Sequence, residues 1–237
     1  MLLFGPRSGG GWMLRSQGAE PDWPAWAGNI FSDAPEPQPN QTLIAWSGWF
    51  DDQADPQSGV FHHDPRTWTA IGWETLEARL GEILPRFEAA NASLLLRPHV
   101  RHVISDAPAI RRVLGLFETS ALGILLEPAA MLTAGMTGDA RDHLTRILEA
   151  LAHHEGVAAV LMTGAERPAL GEADGEHDDI LVPAPLTRGC LDYHDLLAVL
   201  TDHGPFERPL ALYDEDVPAQ LDMLRQAGVL PSQPAHS

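Results

Sequence analysis

Lysine is absent from this sequence. All 15 of its basic residues are arginine and they face 33 acidic ones, giving a formal net charge of −18. A P-loop, which needs a lysine, is thereby excluded. A chain this acidic lacks the clustered cations that neutralise a phosphate backbone, so nucleic acid is not an expected partner. Anionic membrane surfaces are disfavoured for the same reason. Cysteine occurs once, at Cys190, which rules out an intramolecular disulfide and any multi-cysteine metal centre. Cys190 has no identifiable activating neighbour and reads as a packing residue. No stretch approaches the roughly 20 apolar residues of a membrane span. The start, Met1 to Trp12, lacks the apolar core of roughly 7–15 residues that a signal peptide requires. These absences predict a reduced, cytoplasmic protein.

What is present is enough apolar material for one large domain. Hydrophobic residues make up 44% of the 237 residues and charged residues 20%, fewer than the roughly 25% usual in soluble domains. The chain divides near residue 41. Residues 1–41 are broken by turn-rich stretches such as Ser8-Gly9-Gly10-Gly11 and Asp33 to Asn40, and only Met1–Phe4 and Trp12–Arg15 have the makings of short strands. This segment is expected to be irregular. The spaced three-glycine dinucleotide fingerprint is absent, because Gly9-Gly10-Gly11 leads into no helical pattern.

From residue 42 the pattern is regular. Strands are expected at Thr42–Trp49, Ser93–Pro98, Leu122–Glu127, Val157–Thr163 and Pro209–Tyr213. Between them lie helical patterns: Trp73–Ala90, with Leu76, Leu80, Ile83, Leu84 and Phe87 at helical spacing; a helix to Phe117 capped by Ser105 or Asp106; Asp139–His154; Leu191–His203; and Pro218–Gln226. Pro85 inside the first is expected to kink it or end it early. Glu166–Asp179 reads as an acidic surface loop. Strands alternating with helices imply βαβ units and a parallel sheet. Periodicity alone leaves an open doubly wound sheet and a closed barrel both available.

Four segments in order resemble the sugar phosphate isomerase/epimerase group of the xylose isomerase-like TIM barrels. They are Leu94-Leu95-Leu96-Arg97-Pro98-His99, Ile124-Leu125-Leu126-Glu127-Pro128-Ala129-Ala130, Gly189-Cys190-Leu191-Asp192-Tyr193-His194-Asp195, and Pro209-Leu210-Ala211-Leu212-Tyr213. The resemblance implies an α/β fold of the TIM type, a (β/α) barrel, over 42–230, followed by a disordered tail at 231–237. Five clear strands against eight in a complete barrel imply that the first one or two βα units are missing or eroded. A chain cut short of those units would look the same. An incomplete barrel would expose a sheet edge, so a homo-oligomer is a possible state.

Such proteins hold a divalent metal on carboxylates and histidines at the carboxyl ends of the strands. By the resemblance, the usual first Glu is Arg97, the Asp is Glu127, a following His is Ala130 and the last Glu is Tyr213; Trp46 stands where a His often precedes the glycine. An arginine in place of a carboxylate opposes a nearby cation. The expectation is therefore a degenerate site with no metal and no other cofactor.

Arg97 and His99 share a parity on their strand and are expected at the mouth of the barrel. Arg97 is either a bidentate clamp for a substrate carboxylate or phosphate, or the partner of Glu127 in a buried ion pair that fills the vacated site. Glu127, His99 and Asp214 are candidate catalytic groups. Trp46, Trp49, Arg97 and Tyr213 are candidate substrate contacts, the two tryptophans as stacking platforms or as core filling. His62-His63-Asp64 is a loop cluster that is either exposed or a source of replacement ligands. The resemblance implies a protein that acts on or binds a small carbohydrate or sugar acid. The alternative is a non-catalytic relative serving as a ligand-binding or protein-interaction module.

Overall fold

The computed structural model describes residues 2–6, 12–16, 23–32, 36–50, 63–167, 179–203 and 208–230, with side chains from residue 28 onward except Tyr193. Its strands form a closed ring. Five of them are the strands expected from the apolar runs: β4 (Thr42–Trp46), β5 (Ser93–Arg97), β6 (Leu122–Leu126), β7 (Val157–Met162) and β10 (Leu210–Tyr213). They lie side by side and parallel in the order β4-β5-β6-β7-β10. Covered on both faces, such strands read as near-continuous apolar runs, as Leu94-Leu95-Leu96 does.

The remaining three come from the segment read as irregular. β1 (Leu2–Pro6), β2 (Trp12–Ser16) and β3 (Trp23–Asn29) all join the ladder. β1 pairs parallel with β10, β3 pairs parallel with β4, and β2 runs antiparallel between β1 and β3. The physical reason is length. The five residues between β1 and β2 are too few for a parallel crossover, which takes about a dozen residues, but enough for a hairpin. The barrel is thus irregular in its first helices rather than short of strands. Closure also removes the free sheet edge on which the expectation of self-association rested.

Helices α1 (Ala70–Ala89), α2 (Ala107–Leu116), α3 (Ala140–Leu151), α4 (Tyr193–His203) and α5 (Val217–Gln226) flank the barrel. The stripe Leu76, Leu80, Ile83, Leu84 and Phe87 of α1 is buried as its spacing requires. Pro85 neither ends nor splits α1. The carbonyl that loses its partner is that of Gly81, an exposed residue with open space around it. Asp106, not Ser105, caps α2, its Oδ1 accepting from the Ala109 N–H at 2.8 Å. A two-stranded hairpin, β8 (Gly164–Glu166) with β9 (Val182–Ala184), follows β7 directly. Glu166 therefore sits in a strand, whereas 168–178 and the tail 231–237 lie outside the described residues.

Two cores result. The larger fills the space between helices and barrel, using the outward residues Leu43, Leu94, Leu96, Ile124, Leu126, Val160, Met162 and Leu212. The smaller is the barrel interior: Ile44, Leu95, Leu125, Ala159, Leu161 and Ala211. Side chains alternate between these two surfaces as a pleated strand demands.

Candidate functional site

Stepping two residues along each central strand from the interior core changes its chemistry. Ile44 gives way to Trp46, Leu95 to Arg97, Leu125 to Glu127, Leu161 to Thr163 and Ala211 to Tyr213. A polar layer therefore lies one pleat above the apolar one, at the carboxyl ends of the strands, where barrel active sites are built.

Arg97 and Glu127 form the centre of this layer and are 3% and 0% exposed. Arg97 Nε donates to Glu127 Oε2 at 2.6 Å, and the Arg97 Nη2 pairs with the same oxygen. Thr163 Oγ1 donates to the other oxygen, Oε1, at 2.9 Å. Arg97 sits opposite Trp46 in the strand register, and its guanidinium carbon lies 4.0 Å from the centre of the Trp46 ring. The ion-pair alternative for Arg97 thus describes the geometry, and Trp46 presents a face to a guanidinium.

The loop after β5 folds back over this layer. His99 is 1% exposed and His102 is fully buried. Their rings lie 4.9 Å apart, and both meet Trp46 edge-on, at 5.8 Å for His99 and 5.3 Å for His102. Trp49 stacks on His102 at 4.9 Å. The His99 Nδ1 accepts from the Arg101 N–H at 3.1 Å, which places the proton of the neutral ring on Nε2. Burial, then the neighbouring His102, Arg97 and Arg101, hold His99 well below the ordinary imidazole range. Tyr213 is half-buried, and its hydroxyl is pushed up to about 12, chiefly by burial; Glu127 and Glu215 add to the rise while Arg97 and Arg188 oppose it. It is a neutral hydrogen-bond donor at ordinary pH.

Several proposed residues fall outside this cluster. Asp214 is half-exposed beside the mouth. Asp64 is a structural cap: it accepts from the Arg66 N–H at 2.8 Å and from the Arg66 side chain. His63 packs against Trp68 at 4.9 Å, and His62 lies outside the described residues. Cys190 is exposed rather than packed, since it follows Gly189 on a surface turn; only its backbone N–H is tied, to the Ala165 carbonyl.

Two residues that organise the mouth carry no signal in sequence. Asn29, at the end of β3, donates to the Trp49 carbonyl at 2.6 Å and accepts from the Trp49 and Phe31 N–H groups at 3.2 and 3.1 Å. It fixes the loop after β4 from the neighbouring strand. Gln220 of α5 is fully buried and holds the opposite rim, donating to the Tyr213 and Glu215 carbonyls and accepting from the Leu186 N–H. Arg188 ties the hairpin to the end of β10 through Glu166 at 3.2 Å and Glu215 at 2.7 Å.

The carboxylate of the layer is already bound on one oxygen by a guanidinium and on the other by a hydroxyl. Among the described residues no group of three His, Cys, Asp or Glu is placed to hold a metal ion, and no helix is long and apolar enough to cross a membrane.

Ladder and layer together define an α/β barrel with a polar mouth at the carboxyl ends of its strands. No family model matches the chain, and no curated protein sequence matches it. Solved structures similar to it are xylose isomerase-like TIM barrel proteins and sugar epimerases and dehydratases. One is a probable 3-DHS dehydratase of petrobactin synthesis from Bacillus anthracis, at 15% identity and a TM-score of 0.43, covering 81% of this chain and 64% of that one. Another is a xylose isomerase-like TIM barrel protein from Mycobacterium smegmatis in complex with magnesium, at 11% identity and 0.45, covering 80% and 62%. A D-tagatose 3-epimerase-like protein matches at 13% and 0.46, covering 79% and 77%. The chain spans less than two thirds of the length of the first two. The barrel is read from the strand ladder itself, not from these likenesses.

Proposed function

We propose that the protein binds and acts on a small carbohydrate or sugar acid at the barrel mouth, in the manner of a sugar phosphate isomerase or epimerase that has lost its divalent cation. The observation that carries this reading is the buried Arg97–Glu127 pair at the carboxyl ends of two adjacent strands. The guanidinium is balanced by Glu127, whose two oxygens are both engaged, so a cation beside it would meet like-charge repulsion with no carboxylate oxygen of the pair left to bind it. The strand-end motifs around Arg97, Glu127 and Tyr213 support the choice of carbohydrate.

In this scheme the Tyr213 hydroxyl donates to a sugar oxygen, and His99 stays neutral, shaping the mouth rather than carrying a proton. Glu127 serves as a base only once Thr163 or Arg97 yields its place. Metal analysis of the purified protein, calorimetric titration with aldoses, ketoses and aldonates, and deuterium uptake at the carbon next to the carbonyl test the reading together. Metal-free protein that binds one of these sugars and exchanges that hydrogen is the expected result. One equivalent of tightly held Mn, Mg, Co or Zn overturns the metal-free part, and a panel with no binder overturns the whole.

One observation favours a second reading, a non-catalytic ligand-binding module. Both oxygens of Glu127 are engaged within the protein, which leaves the layer's carboxylate poorly placed to take a proton. Sugar binding without deuterium uptake selects that reading.

A further inference from the structure

Beside the mouth, between the start of α1, the loop after β5 and the start of α2, lies a cleft of about 640 Å³ lined by Trp68, Trp73, Arg101, Asp106, Arg112 and Asp179 among others. Its volume is that of a small-molecule site, roughly 300–1,000 Å³.

Trp68 is the feature that asks for an explanation. It is 42% exposed, with the His63 ring 4.9 Å from its own, yet the turn that carries it, Pro65–Trp68, is held by several contacts. Asp64 caps the turn and grips the Arg66 side chain. Thr67 is fully buried. Gly72 of α1 sits so close that a Cβ there would come within 2.3 Å of the Thr67 carbonyl oxygen. An indole on a mobile loop would be ordinary surface. An indole left open on a backbone fixed this firmly is a preorganised platform, whose ordering cost is already met in the free protein.

Two cations line the same cleft. The Arg112 guanidinium lies 3.9 Å from the centre of the Trp73 ring and donates to Glu77 at 2.8 Å. Arg101, only 8% exposed, lines the same cleft. It sits two residues beyond His99, whose ring accepts its backbone N–H, so one short loop belongs both to the cleft and to the mouth. An exposed indole lining the same cleft as two planar cations suits a pyranose that stacks its C–H face on indole and offers a carboxylate to guanidinium, with Asp106 and Asp179 also in the lining.

We infer that this cleft is a subsite for a sugar acid of the hexuronate type, with Trp68 as stacking platform and Arg112 as carboxylate partner. The inference rests on the carbohydrate reading above and deepens it, placing the acid group beside the mouth rather than over Trp46.

The test is calorimetric titration of D-glucuronate, D-glucose and benzoate into the full chain and into the Trp68→Ala, Arg112→Gln and Tyr213→Phe variants, with circular dichroism confirming each fold. Glucuronate is expected to bind better than glucose. Trp68→Ala should weaken it roughly fivefold to tenfold, the scale of an aromatic stacking contact, and Arg112→Gln should erase the preference over glucose. Glucuronate binding that survives Trp68→Ala but falls in Tyr213→Phe overturns the cleft and leaves the mouth as the carbohydrate site. Benzoate binding as well as glucuronate overturns the saccharide class. Failure of glucuronate to bind overturns the subsite alone, since the wider sugar panel decides the functional reading separately.

Discussion

Arg97 and Glu127 stand on neighbouring strands of the barrel and satisfy each other out of water, with the Trp46 ring closing one side of the guanidinium. The pair joins two elements whose motifs are thirty residues apart in the chain. After burial, its charges contribute to the shifts of both His99 and Tyr213.

Removing one member should cost far more than removing both. Arg97→Met leaves a carboxylate buried without its counter-charge and is expected to destabilise the fold by about 3–5 kcal/mol. The double variant Arg97→Met/Glu127→Leu should recover most of that loss, because two apolar groups of similar volume need no partners. Urea denaturation of the three proteins measures the difference. A double variant as unstable as the single one would contradict the ion-pair account.

Asn29 gives a different expectation, because it serves backbone rather than charge. Asn29→Ala removes both the acceptor for the Trp49 N–H and the donor to the Trp49 carbonyl. Leaving such buried groups unpaired costs roughly 1–3 kcal/mol. Tryptophan fluorescence should shift as the Trp49–His102 stack loosens. An unchanged spectrum with unchanged stability would remove Asn29 from the architecture of the mouth.

Acid should weaken the protein through His99. Its folded-state pKa lies below the unfolded value of 6.5, so above that pH the ring is neutral in both states and contributes no pH dependence. As pH falls below it, the unfolded chain takes up a proton that the folded chain refuses. Stability is therefore lost progressively, by up to about 1.4 kcal/mol per pH unit, until the depressed folded pKa is reached. His99→Gln should flatten that limb of the stability profile, as followed by thermal unfolding between neutral pH and mild acid.

Gly189 is the tightest point of the rim. Its φ is +116°, and a Cβ there would lie 2.1 Å from the Ala165 carbonyl oxygen, which also accepts the Cys190 N–H. Gly189→Ala combines backbone strain of about 1–3 kcal/mol with a steric clash that the hairpin relieves only by moving. Faster hydrogen exchange at 164–166 and 182–190, with the barrel strands unchanged, is the expected signature.

The parts of this fold that were legible in sequence obey a local rule. The apolar runs at 94–96 and 122–126 announce buried parallel strands, and parity alone puts Arg97 and His99 on the inward side. Of the first three strands, two were legible only as the short stretches Met1–Phe4 and Trp12–Arg15, without their place in the barrel, and the third was not legible. Pro24 and Gly28 interrupt β3, and the place of β1 in the ring depends on β10 at the far end of the chain. Asn29, Thr163 and Gln220 are unremarkable in sequence because each has a partner 20 or more residues away. Trp68 escapes for the opposite reason: its role lies in exposure, which periodicity does not report.

The pairing of Leu2 with Ala211 and Phe4 with Tyr213 makes the ring a structure with a seam. Every other junction around the wall joins strands nearer in sequence, so this is the one whose formation must bring together the most distant residues and carries the largest loop-closure entropy. By that entropy it is the natural last step of assembly. Since Tyr213 stands at that seam, the integrity of one side of the polar layer is tied to whether the two ends of the sheet stay zipped.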